Sequence, residues 1–413
     1  MPTINPEDLI WNEVGQSVIG NEADDELGSS VALSGDSRIM AIGAPGIDVD
    51  DRTGYVKLYR QSSDGSSREQ IGQDIIGDQI GDNFGVSVAV SADGSTLAIG
   101  APAFYSEEKD DMPGYVRLYS IIDDDGDGSS FYWHQLGPDI VGESPTDAFG
   151  TSVSLSADGK IVAIGGVLND GNGDNSGHVR IYQINDSESE WTQLGEDIDG
   201  EMVGDYSGRE VSLSTDGSTV AIGSPYNSDN GAYAGQVRVY NYDDNDSGWV
   251  QRGQDLVGDA SYDNFGYSVS ISGDGRTIAI GAPADYETDD RPGYVRVYSI
   301  ENESDEWQQI GDVMNGTTEN GGFGYSVSLS DDGRILAVGD WYAENGDNIG
   351  VGCVRVYRLG SNWIQLGKGI DGEDAYDYAG MAVSLSSDGT TVAIGSPGHD
   401  DNYGTMRVFS IGN

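Results

Sequence analysis

The chain has 413 residues, with 71 acidic against 20 basic side chains and a formal net charge of −51. Such a charge repels DNA, RNA and anionic lipid, so it disfavours nucleic-acid binding and favours cations or cationic partners. No apolar run of 18 residues occurs, so we expect neither a transmembrane helix nor membrane insertion.

Seven repeats of about 58 residues follow one another along the chain. Each contains a glycine near its start, and these glycines are separated by 57, 65, 58, 58, 58 and 56 residues. A nearly constant period of this length predicts a solenoid or a propeller. The repeat glycines are Gly28, Gly85, Gly150, Gly208, Gly266, Gly324 and Gly380.

Each repeat contains four strand signals and no helical period. The signals are YSVSIS, TIAIG and GYVRVY at 267–272, 277–281 and 293–298, with WVQRGQDL at 249–256 as a fourth-strand example. Period-two alternation and β-branched residues predict strands. The first two strands are joined by a turn such as Asp274-Gly275, which predicts a tight hairpin with both turn residues at positive φ.

The two ends of the chain indicate how the repeats close. The chain opens with a fourth strand at Trp11 and ends with a third strand, GTMRVFS. A ring allows the strand near Trp11 to complete the last blade with residues 380–411. We therefore predict an all-β fold: one seven-bladed β-propeller domain over residues 1–413, with four antiparallel strands per blade. An open β-solenoid is the alternative.

The paired motifs of these repeats resemble the FG-GAP repeats of integrin α-subunit propellers and of other secreted and surface proteins. FG stands at Phe84-Gly85, Phe149-Gly150, Phe265-Gly266 and Phe323-Gly324, and GAP at 43–45, 100–102 and 281–283. The resemblance implies a seven-bladed propeller used for adhesion or ligand binding. Integrins carry a calcium loop between the FG and GAP strands. Here only an Asp-Gly turn stands there, and such a turn offers too few oxygens for calcium.

Calcium is predicted in other loops, where oxygen-bearing side chains stand at alternate positions. One loop matches the first half of an EF-hand, but His134 stands where its last acidic ligand belongs, so a solvated acidic turn is the alternative. The predicted calcium ligands are Asp123, Asp125 and Asp127; Asp170, Asn172 and Asp174; and Asp48 and Asp50.

Aromatic residues are predicted on the face that carries the second-to-third and fourth-to-first connections. Exposed rings between carboxylates suit stacking on sugars or gripping a peptide. The alternative is that these rings seal the tops of the blades. The predicted ligand-binding residues are Tyr105, Tyr226, Tyr286, Trp341, Tyr342 and Tyr403.

Two charged positions recur with the repeat, and we assign both a structural role. The third strand carries a base that we expect to pair with carboxylates, rather than to form a ring for an anion. An aspartate two residues before the FG-type pair, as at Asp263, is expected to cap a turn rather than to form a carboxylate ring near the axis. The bases are Lys57, Arg117, Arg180, Arg238, Arg296, Arg355 and Arg407.

The sequence predicts a non-catalytic recognition or adhesion module that binds a glycan or a protein, with calcium bracing its loops. The three histidines lie in different repeats and the only cysteine, Cys353, lies in an apolar strand, so no catalytic pair or zinc cluster is indicated. The alternatives are an acidic matrix protein that binds cations in bulk and a glycan hydrolase. We expect a monomeric domain of a larger extracellular or cell-surface protein, without its leader segment, and four Asn-x-Ser/Thr sequons weakly support secretion.

Overall fold

The protein folds as a ring of blades, one for each sequence repeat. The structure is a computed structural model that describes residues 6–46, 52–62, 65, 67–103, 112–123, 131–185, 189–243, 245, 248–284, 291–302, 306–319, 321–346 and 348–412. These residues form seven antiparallel sheets, with two short helical segments at Pro6–Asp8 and His399–Asn402. The predicted all-β, seven-bladed propeller is confirmed.

Each blade places its first strand at the central channel and its fourth at the rim. The first strands are Ser30–Leu33, Ser87–Val90, Phe149–Leu155, Glu210–Leu213, Ser268–Ile271, Phe323–Leu329 and Ala382–Leu385. The second strands are Ile39–Ala44, Thr96–Ala101, Ile161–Gly166, Thr219–Ser224, Thr277–Ala282, Ile335–Asp340 and Thr391–Ser396. The third strands are Tyr55–Gln61, Tyr115–Asp123, His178–Ile184, Gln236–Asp243, Tyr294–Ser299, Cys353–Leu359 and Thr405–Gly412.

The fourth strand is interrupted in every blade, and both of its segments pair with the third strand. A glycine with φ between 62° and 74° lies at each interruption, because the chain must turn there into the left-handed region. The segments are Arg68–Gln70 and Ile75–Ile76, Phe131–Gln135 and Ile140–Val141, Trp191–Gln193 and Ile198–Asp199, Gly248–Gln251 and Leu256–Val257, Gln308–Gln309 and Met314–Asn315, Trp363–Gln365 and Ile370–Asp371, and Ile10–Glu13 and Val18–Ile19.

The recurrent tryptophan of the fourth strand ties neighbouring blades together at these interruptions. The indole N–H of Trp249 donates to the Leu194 carbonyl at 2.8 Å, immediately before the interrupting glycine of the preceding blade. Trp11, Trp191, Trp307 and Trp363 make the same bond to the blade before them. The tryptophan therefore recurs because it satisfies a backbone acceptor and also fills the rim.

The N-terminal strand closes the ring, as predicted. Ile10–Glu13 pairs antiparallel with Thr405–Gly412, with Trp11 opposite Ile411. Seven hydrophobic clusters each join two adjacent blades, and one of them joins the last blade to the first through residues such as Met406 and Ile42. The core is thus a set of inter-blade seams rather than one central mass.

The phenylalanines of the FG motif lie in these seams. Phe84, Phe149, Phe265 and Phe323 are fully buried. Phe265, for example, packs in the cluster shared by the fourth and fifth blades. Full burial of a phenylalanine side chain stabilises the fold by about 2 kcal/mol or more, so the motif serves the packing of blade on blade.

The turns between the first and second strands differ from the predicted tight hairpin. Only the glycine takes positive φ, as at Gly275 with φ 67°, and Asp274 does not. Instead the Asp274 carboxylate accepts hydrogen bonds from the Ser272 hydroxyl at 2.7 Å and the Arg276 amide at 3.0 Å. The aspartate is therefore retained for its side-chain hydrogen bonds and not for a left-handed backbone.

These turns also bond to one another around the narrow end of the channel. The amide of Thr215 donates to the Gly273 carbonyl at 3.0 Å, and Gly273 donates in turn to Asp331 at 2.9 Å. Equivalent bonds pass through Ser387, Gly35, Ala92 or Asp93, and Ala157 back to Thr215, so the ring of backbone hydrogen bonds is complete. The cavity inside this ring has a volume of about 150 Å³.

The recurrent charged residues have the expected structural roles. Arg117 pairs with Asp78 of the preceding connection and with Asp139 of its own blade, at 2.5 and 2.7 Å. The other third-strand arginines also contact carboxylates, whereas Lys57 donates to the amide oxygen of Asn21. The repeat aspartates accept backbone amides from three or four residues earlier, which confirms turn capping.

Candidate functional site

The wide end of the central channel holds a cavity of about 980 Å³. Its lining comes from the first strands, from fourth-to-first connections such as that of Tyr206, and from second-to-third connections such as that of Trp341. Both kinds of connection therefore lie on one face of the disc, as predicted. A volume near the upper end of the range for small-ligand pockets, about 300–1,000 Å³, suits a ligand of several rings.

One position, read around the ring, distinguishes the blades at this mouth. The residue after the repeat glycine is Ser29, Val86 and Thr151 in the first three blades, and Met381 in the last. In the fourth, fifth and sixth blades it is Arg209, Tyr267 and Tyr325, and all three side chains line the cavity. The repeat thus departs from small or aliphatic residues over three consecutive blades.

These three side chains stack in order along the channel wall. The Arg209 guanidinium lies 4.4 Å from the ring centroid of Tyr267 and donates a 2.9 Å hydrogen bond to the Tyr267 hydroxyl. The Tyr267 and Tyr325 rings are 4.8 Å apart, and burial raises the pKa of Tyr325 well above its ordinary value. Stacking on a ring and a hydrogen bond hold the guanidinium in one position.

The aromatic surface continues onto the sixth and seventh blades. Tyr325 lies 5.4 Å from Trp341, and Trp341 lies 5.3 Å from both Tyr342 and Tyr378. The Tyr342 and Tyr378 rings are nearly parallel, at an interplanar angle of 17°. We call Tyr267, Tyr325, Trp341, Tyr342 and Tyr378 the aromatic arc.

A second run of rings lies at the boundary of the fourth and fifth blades. Tyr206, Tyr226, Tyr233 and Tyr262 contact one another edge to face in that order, with centroids 5.0 to 5.7 Å apart. Tyr206 and Tyr226 line the cavity, whereas Tyr233 is exposed. The two runs together make the fourth to seventh blades the aromatic side of the mouth among the described residues.

Several of these tyrosines have a strained backbone. In the fourth-to-first connections, the residues on either side of the capping aspartate take positive φ, with glycine or asparagine at Gly81 and Asn83 but other residues at Glu26 and Ala148. Tyr206 and Tyr378 occupy the same kind of position with φ 54° and 57°. A left-handed residue other than glycine costs about 1–2 kcal/mol. Tyr206 and Tyr378 therefore carry a backbone cost that glycine or asparagine would avoid.

Glu210 is the second charged residue that the fourth blade places in the channel. In five blades its position is a serine whose hydroxyl donates to the repeat-glycine carbonyl of the next blade, as Ser268 does to Gly324 at 2.8 Å. The Glu210 carboxylate makes no hydrogen bond or ion pair with the described residues. Burial raises the pKa of Glu210 to about 7, although the nearby charge of Arg209 opposes the shift.

Comparison with known families agrees with the geometry. Residues 258–298 match the FG-GAP repeat, and this stretch includes Phe265 and the first three strands of the fifth blade. One stretch of the fifth blade is therefore similar to the FG-GAP repeat, and the seven-bladed propeller is consistent with it. A comparison with curated proteins gives no match. Among the described residues, no helix is long and apolar enough to span a membrane.

The predicted ligand-binding residues of the propeller divide into three groups. Tyr226 and Trp341 line the cavity, and Tyr342 contacts Trp341 within the aromatic arc. Tyr403 lies outside the cavity lining, where its carbonyl accepts the Leu27 amide at 3.2 Å. The other two predictions, Tyr105 and Tyr286, lie outside the described residues.

Of the predicted calcium loops, only the one at 169–177 is fully described. The Asp170 carboxylate accepts the Asn175 amide at 2.8 Å, and the Asn172 side chain donates to the Gly200 carbonyl at 2.8 Å. The fourth blade repeats this loop, with Asn230 donating to Gly258 at 2.6 Å. These bonds account for part of the side-chain spacing, and calcium stays a prediction there. Asp48, Asp50, Asp125, Asp127 and the side chain of Asp123 lie outside the described residues.

One cluster of potential metal ligands occurs among the described residues. Glu143, His178 and Asp197 place their ligand atoms within 4.8 Å of one another. The Arg180 guanidinium already contacts both carboxylates. Burial would raise the pKa of Asp197, but the nearby His178 ring, a hydrogen bond from Gln193 and the Arg180 guanidinium hold it well below its ordinary value. The cluster is therefore an inter-blade ion pair of the recurrent kind.

Sequence reasoning missed Arg209, Glu210, Tyr267, Tyr325 and Tyr378. They stand beside the repeat glycine or the capping aspartate, positions that the repeat pattern marks as structural. The signal that could have found Glu210 was departure from the repeat, because serine fills its position in five other blades. Arg209, Tyr267 and Tyr325 replace the serine, valine, threonine or methionine of the other four blades.

Proposed function

We propose that the protein is a non-catalytic extracellular recognition module that binds a glycan at the wide mouth of the central channel. The observation that carries the proposal is the aromatic arc in a cavity of about 980 Å³, with Tyr378 kept in a backbone position that favours glycine. Rings stacked along a channel wall present the apolar faces that sugar rings pack against.

The shape of the site favours a glycan over a folded protein partner. A stable protein interface buries about 800 Å² on each partner, which requires a broad surface. Four residues of the arc, Tyr267, Tyr325, Trp341 and Tyr378, instead line the inner wall of a channel. Extended chains with ring-shaped units fit such a site.

Calcium is proposed as an accessory that braces the acidic loops around the mouth. Carboxylates at alternate positions, as at Asp170 and Asp174, are hard oxygen ligands of the kind that calcium prefers. Both residues lie in a second-to-third connection, on the same face of the disc as the cavity. Calcium bound there would order the loops around the mouth without contacting the aromatic arc.

The test is a binding panel of neutral, acidic and amino-sugar oligomers, measured by calorimetry with wild type and Trp341→Ala. We expect a micromolar to millimolar affinity for at least one class, reduced tenfold or more in the variant while the melting temperature stays within a few degrees. Trp249→Ala, at the rim, is the matched control and should lower stability but leave the affinity unchanged. Binding that survives Trp341→Ala would contradict the proposal.

A further inference from the structure

In the fourth blade, Glu210 replaces the serine that bonds to the next blade elsewhere, and it places a carboxylate in the channel. In five blades a serine at this position donates a hydrogen bond to the next blade. Ala382 in the seventh blade makes no such bond and carries no charge. An ionised Glu210 cannot donate to the Gly266 carbonyl, so the substitution removes a bond that the fold elsewhere uses. A half-buried carboxylate without a partner costs free energy unless a ligand pairs with it.

Arg209 attracts Glu210 at a distance but does not form an ion pair with it. Arg209 is held on the Tyr267 ring by stacking and by its bond to the Tyr267 hydroxyl, and it forms no ion pair with Glu210 within 4.0 Å. The cavity therefore offers a separate negative group next to the aromatic arc. Carboxylates combined with aromatic faces bind ammonium groups.

We propose that Glu210 is a recognition residue for a ligand ammonium group, and that the glycan taken by the mouth is an amino-sugar oligomer. This inference rests on the proposed function and specifies its substrate class. The aromatic arc would pack against the apolar sugar faces, while Glu210 would pair with the ammonium substituent. The net charge of −51 favours the approach of such a cationic ligand over a uronic acid or sulfated polymer.

The pairing predicts a pH dependence of binding with a defined sign. The raised pKa means that Glu210 gains its charge only as the pH rises through about 7. The other charged or titratable groups lining the cavity are Arg209, Glu26 and the tyrosines at 206, 226, 267, 325 and 378. Arginine stays charged, and burial moves the pKa values of Tyr325 and Tyr378 upward, away from this range. Affinity for a permanent cation should therefore rise between pH 5 and pH 8.

The experiment compares two glucosamine tetramers, one N-trimethylated and one N-acetylated, by calorimetry at pH 5, 6.5 and 8. Trimethylation fixes the ligand charge, so the pH dependence reports the protein alone. We expect the cationic tetramer to bind at least tenfold more tightly at pH 8, with the preference shrinking at pH 5. Glu210→Gln and Glu210→Ser should both abolish the preference, and the serine variant restores the residue of the other blades and so protects against loss of fold.

A second substitution separates specific pairing from attraction to an acidic surface. Glu301→Gln removes the same charge from an exposed site in the connection after the third strand of the fifth blade, away from the mouth, and should retain the preference. A preference that persists in both Glu210 variants overturns the inference. Equal or tighter binding of the acetylated tetramer, lost in Trp341→Ala, also overturns it but leaves the proposed function standing. If neither tetramer binds, the inference is overturned, and the proposed glycan function is decided separately by the neutral and acidic oligomers of the panel.

Discussion

The two ends of the central channel are built from the same seven repeats and differ in what they keep constant. At the narrow end, similar turns repeat in every blade and bond to one another through backbone atoms. At the wide end, the residue after the repeat glycine changes from serine to arginine to tyrosine around the ring. Backbone bonds tolerate any side chain but require all seven turns, so the narrow end holds the ring together. The wide end is free to vary and carries the candidate site.

Breaking the narrow ring should have the largest effect on stability. Thr215→Pro removes the amide that donates to Gly273, and we expect it to lower the free energy of unfolding by about 3 kcal/mol or more. Thr215→Ala keeps the amide and should change stability by less than about 0.5 kcal/mol. Denaturant unfolding of both variants checks this, and equal losses would show that the side chain, not the ring, matters.

Glu210 should lower stability in a pH-dependent way when no ligand is present. Its folded-state pKa of about 7 lies above the unfolded value of 4.5, so the destabilisation is nearly absent at pH 4, grows as the pH rises from 4.5 to 7 and is complete at pH 8. Glu210→Gln should therefore exceed wild type in free energy of unfolding at pH 8, by on the order of 1 kcal/mol or more, and match it at pH 4. Denaturant unfolding at both pH values measures the difference, and equal stability at pH 8 would contradict an uncompensated carboxylate in the channel.

Substitution at the wide mouth should separate binding from stability. Tyr378→Asn removes a ring of the aromatic arc, which should weaken glycan binding about tenfold. Asparagine tolerates the φ of 57° better than tyrosine does, and this lower backbone strain offsets the lost ring contacts. The free energy of unfolding should therefore change by less than about 1 kcal/mol. Calorimetry and thermal melting measure the two quantities.

The matched control lies on the side of the mouth without described aromatic residues. Thr146 has φ 69° in the third blade, at the position before the capping aspartate. Thr146→Asn should raise stability by up to about 1 kcal/mol and leave binding unchanged. A binding loss in this variant equal to that of Tyr378→Asn would mean that loop geometry, and not the ring, determines affinity.

Calcium should have the smallest effect on the fold, because the proposed loops lie outside the blades. A few saturable sites by calorimetry and a rise of a few degrees in melting temperature would agree with ordered loops. Asp170→Asn with Asp174→Asn should remove one site without changing the melting temperature in chelator. Titration without saturable heat would assign the carboxylates to bulk surface charge.

The fold could be predicted from the sequence because its causes are repeated seven times. Alternation, turn residues and the orphan strand at Trp11 each indicate the same closed ring. The predicted turn geometry was wrong in detail. Asp274 does not take the expected left-handed conformation, and its carboxylate instead accepts a hydrogen bond from the Ser272 hydroxyl. The role of the fourth-strand tryptophans depends on a contact between blades that no single repeat shows.

The candidate site was predicted only in part, since the predicted residues stand in the variable connections and several lining residues stand at or beside the first strands. Tyr226 and Trp341 were found because they stand in variable connections of the expected face. Arg209 and Glu210 stand at the channel end of a first strand, and the serines that repeat at the Glu210 position indicate a structural role. Their meaning depends on which residues face them across the channel, such as Tyr267 for Arg209, and only the closed ring brings those together.

Hydrogen–deuterium exchange with and without a bound amino-sugar tetramer tests the central claim most directly. We expect slower exchange in the connections around Tyr206, Trp341 and Tyr378 at the wide mouth. The narrow-end turns around Gly94, Gly217 and Gly275 should not change. Protection at the narrow end or along the rim strands, with the wide mouth unchanged, would place the ligand elsewhere and contradict the account.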